Sequence, residues 1–166
     1  MITANKLIEL MYLSMTDPKI IEIIEKMGLE QPTITEEYEE EKAVYADDSL
    51  NSGIVFTFKE LNGYSSNGEP CLVKIDFTKE DVIAFPYKLT STDNYIYCCE
   101  KLGRNADYRY KRFMKTSKVW VQTLDNKKLF KLIVDFRDTT FSKIKYILVM
   151  DFNETELTQK LIPNED

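Results

Sequence analysis

Glu25-Lys26-Met27-Gly28 returns 75 positions later as Glu100-Lys101-Leu102-Gly103, each time closing an apolar run. Three further matches follow in the same order. Lys42-Ala43-Val44-Tyr45 returns as Lys118-Val119-Trp120-Val121 at an offset of 76, Phe56-Thr57-Phe58-Lys59-Glu60 as Val134-Asp135-Phe136-Arg137-Asp138 at 78, and Asp76-Phe77 as Asp151-Phe152 at 75. Four matches in order at nearly constant spacing predict an internal duplication. Repeat one covers about residues 17–78 and repeat two about residues 92–152.

The periodicities inside the two copies agree. Asp17-Pro18 reads as an N-cap with proline in the first turn; Ile20, Ile21, Ile23, Ile24 and Met27 form an apolar stripe, and Gly28 stops it. In the second copy Ser91-Thr92-Asp93 supplies the cap, Tyr95, Ile96, Cys98, Cys99 and Leu102 the stripe, and Gly103 the stop. Runs rich in Val, Ile, Tyr and Phe predict strands over about 41–46, 53–60 and 70–78, then about 108–124, 128–138 and 143–152. Short turns between them favour antiparallel neighbours. The expected class is α+β: two tandem αβββ repeats, each with room for a fourth strand, in antiparallel sheets with helices packed on one face. The two units join either edge to edge or face to face. Residues 1–15 hold an N-terminal helix, read over 3–14, and 153–166 read as a polar tail within a single domain of 166 residues.

Composition bounds the class. Apolar residues at 43% and charged residues at 30% suit a globular protein with its own core, not a disordered chain. The first residues lack a basic run before an apolar stretch, and no run approaches the roughly 20 apolar residues a membrane span needs. Cys71, Cys98 and Cys99 are odd in number and two are adjacent, which suits buried free thiols and a cytoplasmic location. The net charge of -6 divides unevenly, with -10 on residues 1–81 and +4 on residues 82–166. An acidic chain repels phosphate backbones, so a basic protein is the expected partner and nucleic acid is not.

The chain contains no histidine, which removes the commonest general base, triad member and zinc ligand at once. Neither a CxxC spacing nor a Gly-rich phosphate loop is present. No catalytic residue, metal site or cofactor is expected, and a carboxylate-only enzyme has no motif behind it. Cys98 and Cys99 take the places of Ile23 and Ile24, as core residues. The densest chemical feature is Glu36-Glu37-Tyr38-Glu39-Glu40-Glu41, followed by Asp47 and Asp48. Three readings fit it: a solvated strand edge kept acidic against edge pairing, a surface that steers and pairs with a basic partner, or a divalent-cation site. On the second reading Glu36, Glu37, Glu39, Glu40, Glu41, Asp47 and Asp48 make the contact, with Tyr38 and Tyr64 as aromatic anchors. In the second half, Arg109, Lys111 and Phe113 alternate with Tyr108, Tyr110 and Arg112. Read as one strand, that alternation spreads charge to both faces and complements the acidic half.

A tandem unit with these features resembles the small immunity proteins of bacterial polymorphic and contact-delivered toxin systems. The residues that carry the likeness are Glu25 to Gly28, Gly53 to Phe58 and Leu72 to Phe77, with Glu100 to Gly103 and Leu148 to Phe152 in the second copy. The arrangement is also similar to the tandem-repeat fold of the beta-lactamase inhibitor protein. The resemblance implies a cytoplasmic antidote, without enzymatic activity, that binds a cognate toxin and occludes its active site. Toxins that cut nucleic acid have cationic clefts, so the acidic half acquires a role under that resemblance. The other expectation is an adaptor or self-associating structural protein. Oligomeric state is left open by the sequence.

Overall fold

The computed structural model describes residues 1–32, 44–47, 53–61, 68–124 and 127–165. Its elements in chain order are α1 (Ala4–Ile8), α2 (Pro18–Lys26), β1 (Val44–Asp47), β2 (Ile54–Lys59), β3 (Cys71–Phe77), a 3-10 turn at Pro86–Lys88, α3 (Tyr95–Leu102), β4 (Tyr108–Tyr110), β5 (Ser117–Thr123), β6 (Leu129–Phe136), β7 (Ile144–Asp151), α4 (Glu156–Gln159) and β8 (Leu161–Pro163). The class is mixed α and β, as the sequence predicts.

Local chemistry explains the helices. The Asp17 carboxylate accepts from the Lys19 amide at 2.9 Å, Pro18 opens α2, and Ile20 and Ile24, one turn apart, are buried. The cap of α3 differs from the sequence reading. Asn94, not the Ser91–Asp93 stretch, accepts from the Tyr97 amide at 2.9 Å, while Asp93 accepts from the Thr90 amide and the Lys101 ammonium. Gly103 then takes φ +81 and donates to the Cys99 carbonyl at 2.8 Å, a left-handed stop that a side chain would strain. Ile96 does not join the buried stripe: it is 65% exposed, whereas Cys98 is fully buried.

The N-terminal helix is shorter than 3–14. It ends at Ile8, and the chain runs on through turns over 9–12 before pairing with β3: the Tyr12 amide donates to the Leu72 carbonyl and the Leu72 amide to Leu13. An apolar helical period over 7–15 was outweighed by backbone pairing with the start of β3. The Tyr12 hydroxyl reaches across the sheet, donating to the Leu129 carbonyl at 2.5 Å and accepting from the Phe152 amide.

Among the described residues the strands form one eight-stranded sheet, all pairings antiparallel, in the order β1-β2-β3-β7-β6-β5-β4-β8. Of the two arrangements the sequence left open, edge to edge and face to face, the strand sets take the first, where Lys74–Phe77 pairs with Ile147–Met150. The element order helix, then three-stranded meander occurs in both halves, with β4 extra in the second. The residue offset does not hold throughout. Ile75 packs in the larger core cluster, but Met150, its counterpart at an offset of 75, packs with the smaller cluster on the opposite side. An odd slip in a strand exchanges faces.

Two more boundaries change. The predicted strand 108–124 breaks into β4 and β5 around a turn at Lys111–Thr116, where Met114 has φ +53 and accepts from the Ser117 amide. Residues 153–166 are not a plain polar tail. β8 pairs with β4 through Tyr108↔Pro163, Arg109↔Ile162 and Tyr110↔Leu161, and Leu161 is fully buried. Asn164 ties this end to α3 and β5, donating to the Tyr95 hydroxyl and accepting from the Lys118 ammonium.

Period-2 alternation divides the core. Phe130, Leu132, Val134 and Phe136 of β6 join the larger cluster with Leu7 of α1, Ile20 and Ile24 of α2, Cys98 of α3 and Trp120 of β5. Ile133, Val119, Leu148 and Leu161 form the smaller cluster, with Tyr108, Tyr110, Met114, Tyr146, Met150 and Leu157 half-buried around it.

Candidate functional site

The acidic stretch singled out in the sequence falls largely outside the described residues. Glu36, Glu37, Tyr38, Glu39, Glu40, Glu41, Asp48 and Tyr64 all lie there. Asp47 ends β1, in backbone register with Val55, and its side chain is also outside the described set. Among the described strands, β1 stands at one end of the sheet.

What the structure does assemble lies on the sheet side that carries the smaller cluster. Register places Lys74, Met150 and Lys131 in one row across β3, β7 and β6. The next row is Asp76, Leu148, Ile133 and Val119, and beyond it Tyr146, Asp135 and Ser117. A cavity of about 610 Å³ opens over the first of these rows. Its walls carry Lys59, Lys74, Lys131 and Lys160, its floor Val73, Leu148, Met114 and Met150, and its sides Tyr110 and Tyr146. Glu60 and Asp151 are its acids. Two smaller cavities, of about 300 and 250 Å³, share Tyr110 and Met114 with it. Together the three are lined by nine Lys or Arg residues and two acids, in a chain whose net charge is -6.

The polar row is already committed within the fold. Asp135 is 6% exposed and accepts from the Thr116 and Ser117 hydroxyls, each at 2.7 Å. Burial raises the Tyr146 phenol above its ordinary range, and the carboxylates of Asp135 and Asp76 add to the shift. Ser117 beside Asp135 superficially suggests an activated hydroxyl, yet Ser117 is 1% exposed and no imidazole exists to relay its proton. Burial lowers the Lys118 ammonium, Arg109 lowers it further, and it sits over the rings of Tyr95 and Phe141 at 5.0 and 4.6 Å. The arrangement can hold anionic groups beside an aliphatic floor.

The cysteines contribute no reactive centre. All three are free; Cys71 and Cys98 are buried, and burial pushes the Cys98 thiol up to about 12, with Asp93 and Cys99 adding to it. Among the described residues, no group of three Cys, Asp or Glu is placed to hold a metal ion, and no helix is long and apolar enough to cross a membrane.

The groove was missed in the sequence because its lysines come from four separate segments. The one local signal is Lys131, a charge inside the apolar run Leu129-Phe130-Lys131-Leu132-Ile133-Val134. The alternation over 108–113 was read as dividing charge between two strand faces; Arg109 does stay in β4, but the turn at Lys111–Thr116 gathers Lys111, Arg112 and Lys115 around Tyr110 and Met114.

Compared with protein-family models, curated proteins and solved structures, the chain matches none.

Proposed function

We propose that this chain is a non-enzymatic immunity protein, an antidote that binds and occludes a cognate bacterial effector toxin. In this reading Glu36, Glu37, Glu39, Glu40, Glu41, Asp47 and Asp48 dock on a basic toxin, with Tyr38 and Tyr64 as anchors, and a nuclease fits the charge best. Nucleic acid and membrane are not partners in this reading, and it works in the cytoplasm. The observation that carries it is the place of β1. This strand, at one end of the sheet among the described strands, is preceded, three residues upstream, by the last of five glutamates and followed at once by Asp48. An acidic strand edge discourages pairing with copies of itself while presenting charge to a cationic partner. We also read the fold as a duplicated αβββ unit with its longer helices on one face, the twice-occurring element order supporting that origin.

Co-expression with the product encoded next to this chain, followed by purification, tests the reading. Replacing the five glutamates with glutamine is expected to slow association and flatten its salt dependence, because each exposed charge contributes to steering within about one Debye length, roughly 10 Å. Association kinetics that stay the same across ionic strength would remove the segment from the interface. A second reading, a self-associating adaptor, is favoured by the opposite charges of the two halves; light scattering on the purified chain distinguishes it.

A further inference from the structure

The lysine-walled groove is not needed by the proposed toxin contact, and it stands whether or not that contact exists. We propose that it is a second docking surface, which takes a short acidic segment of a partner protein in extended conformation, with apolar side chains between the acids.

Three observations lead to this occupant. The first is spacing. Lys74 and Lys131 flank Met150 across two strand intervals, about 10 Å apart at the backbone; Lys74 faces Asp76 at 3.5 Å and Lys131 is 2% exposed, so Lys59 and the exposed Lys160 carry the accessible rim. Acids two or three residues apart on an extended chain, at roughly 3.4 Å per residue, match that spacing, so successive carboxylates meet successive cations. The second is the floor. Val73, Leu148 and Met150 give aliphatic surface between the cations, which suits Leu, Phe or Met side chains and offers nothing to a ribose-phosphate backbone. The third is the rim. Phe113 is 77% exposed, flanked by Lys111 and Arg112 on the turn beside the groove, where an aromatic left in water gains by meeting an apolar partner.

Charge decides between an acidic peptide and a nucleic acid. Lys59, Lys74, Lys131 and Lys160 line the groove against Glu60 and Asp151, and the neighbouring turn adds Lys111, Arg112 and Lys115, so an anion is drawn there. The chain as a whole carries -6, with -10 on residues 1–81, so a long polyanion that reaches the acidic half is repelled there. A short acidic segment touches the cationic surface alone.

The test uses the full chain and fluorescence anisotropy at low and high salt. The probe is a labelled peptide of about ten residues that alternates Asp or Glu with Leu, Phe or Met. The comparison probes are a polyglutamate of equal length and a single-stranded oligouridylate. Expected is binding of the mixed peptide about tenfold tighter than polyglutamate, and weakened about tenfold or more by Lys59→Glu with Lys160→Glu. Lys6→Glu with Lys19→Glu makes the same change in net charge on α1 and α2 and is expected to leave affinity intact. Far-UV circular dichroism confirms that each pair folds. No binding of the mixed peptide would overturn the proposal, as would equal loss with both pairs of reversals. Tighter binding of oligouridylate would assign the groove to nucleic acid. Concentration-dependent self-association abolished by the groove reversals would assign it to a second copy of this chain. The five Glu→Gln changes are expected to leave peptide binding unchanged, which separates this proposal from the toxin contact.

Discussion

Leu161→Ala tests whether the C-terminal segment is an integral part of the sheet. Leu161 is fully buried against Val119, Ile133 and Leu148, and β8 hangs on β4 by three paired positions. Truncating a buried leucine costs about 2–5 kcal/mol, with the cost set by how far the site collapses. Among the described residues the smaller cluster lies beside the β8 end of the sheet and holds four buried residues against 28 in the larger one, so fewer neighbours line the gap and the low end applies, about 2–3 kcal/mol. With a urea slope of about 2 kcal/mol/M, the midpoint falls by about 1 M or somewhat more. Leu132→Ala, in the middle of the sheet and inside the larger cluster, is expected near the top of the same range. Urea titrations followed by circular dichroism measure both. The change at Leu161 has a second readout, because the Lys111 amide donates to the Lys160 carbonyl at 2.9 Å and Lys160 walls the groove. Loosening β8 therefore weakens peptide binding as well. A loss below about 0.5 kcal/mol, the scale of a neutral surface change, would show that the segment does not dock, and the reasoning about the groove wall would fail with it.

Trp120 is the single tryptophan and is fully buried, its Nε1 donating to the Arg104 carbonyl at 3.1 Å. Its emission is expected to be blue-shifted in the fold and to move red in urea; a water-like native spectrum would contradict its burial. Trp120→Phe leaves that carbonyl without its donor and a gap beside Tyr95, at an expected cost of about 1–3 kcal/mol, read from the same titrations. The Cys98 thiol keeps its proton in the fold up to about 12, but ionises from its ordinary value of 9.0 once unfolded. The unfolded chain therefore loses that proton first, so this contribution is fully present below about 9 and declines as pH rises toward about 12. Cys98→Ala is expected to flatten the fall in urea midpoint across that window, and an unchanged slope would assign the fall to other groups.

Much of the fold is legible in local chemistry. The Asp17-Pro18 start and Gly28 stop of α2, the Gly103 stop of α3, and the six strand regions follow from caps, positive-φ glycines and alternation of apolar residues. The misreadings occurred where tertiary pairing outweighed a local pattern. Residues 7–15 have a helical period but give up their later turns to backbone bonds with β3, and residues 161–163 look polar in context yet complete the sheet edge. The nearly constant offset between the copies does not fix which face a residue takes: a slip between β3 and β7 puts Ile75 and Met150 on opposite sides.

By itself the sequence determined where α2, α3 and the main strands form and how charge divides between the halves, because caps, turns and side-chain period act over a few residues. Only the tertiary structure decided that the strands form one sheet joined between β3 and β7, and that Lys59, Lys74, Lys131 and Lys160 surround one groove. Strand neighbours far apart in the chain are chosen by which edges can pair and which faces must be buried, and no local pattern encodes that choice.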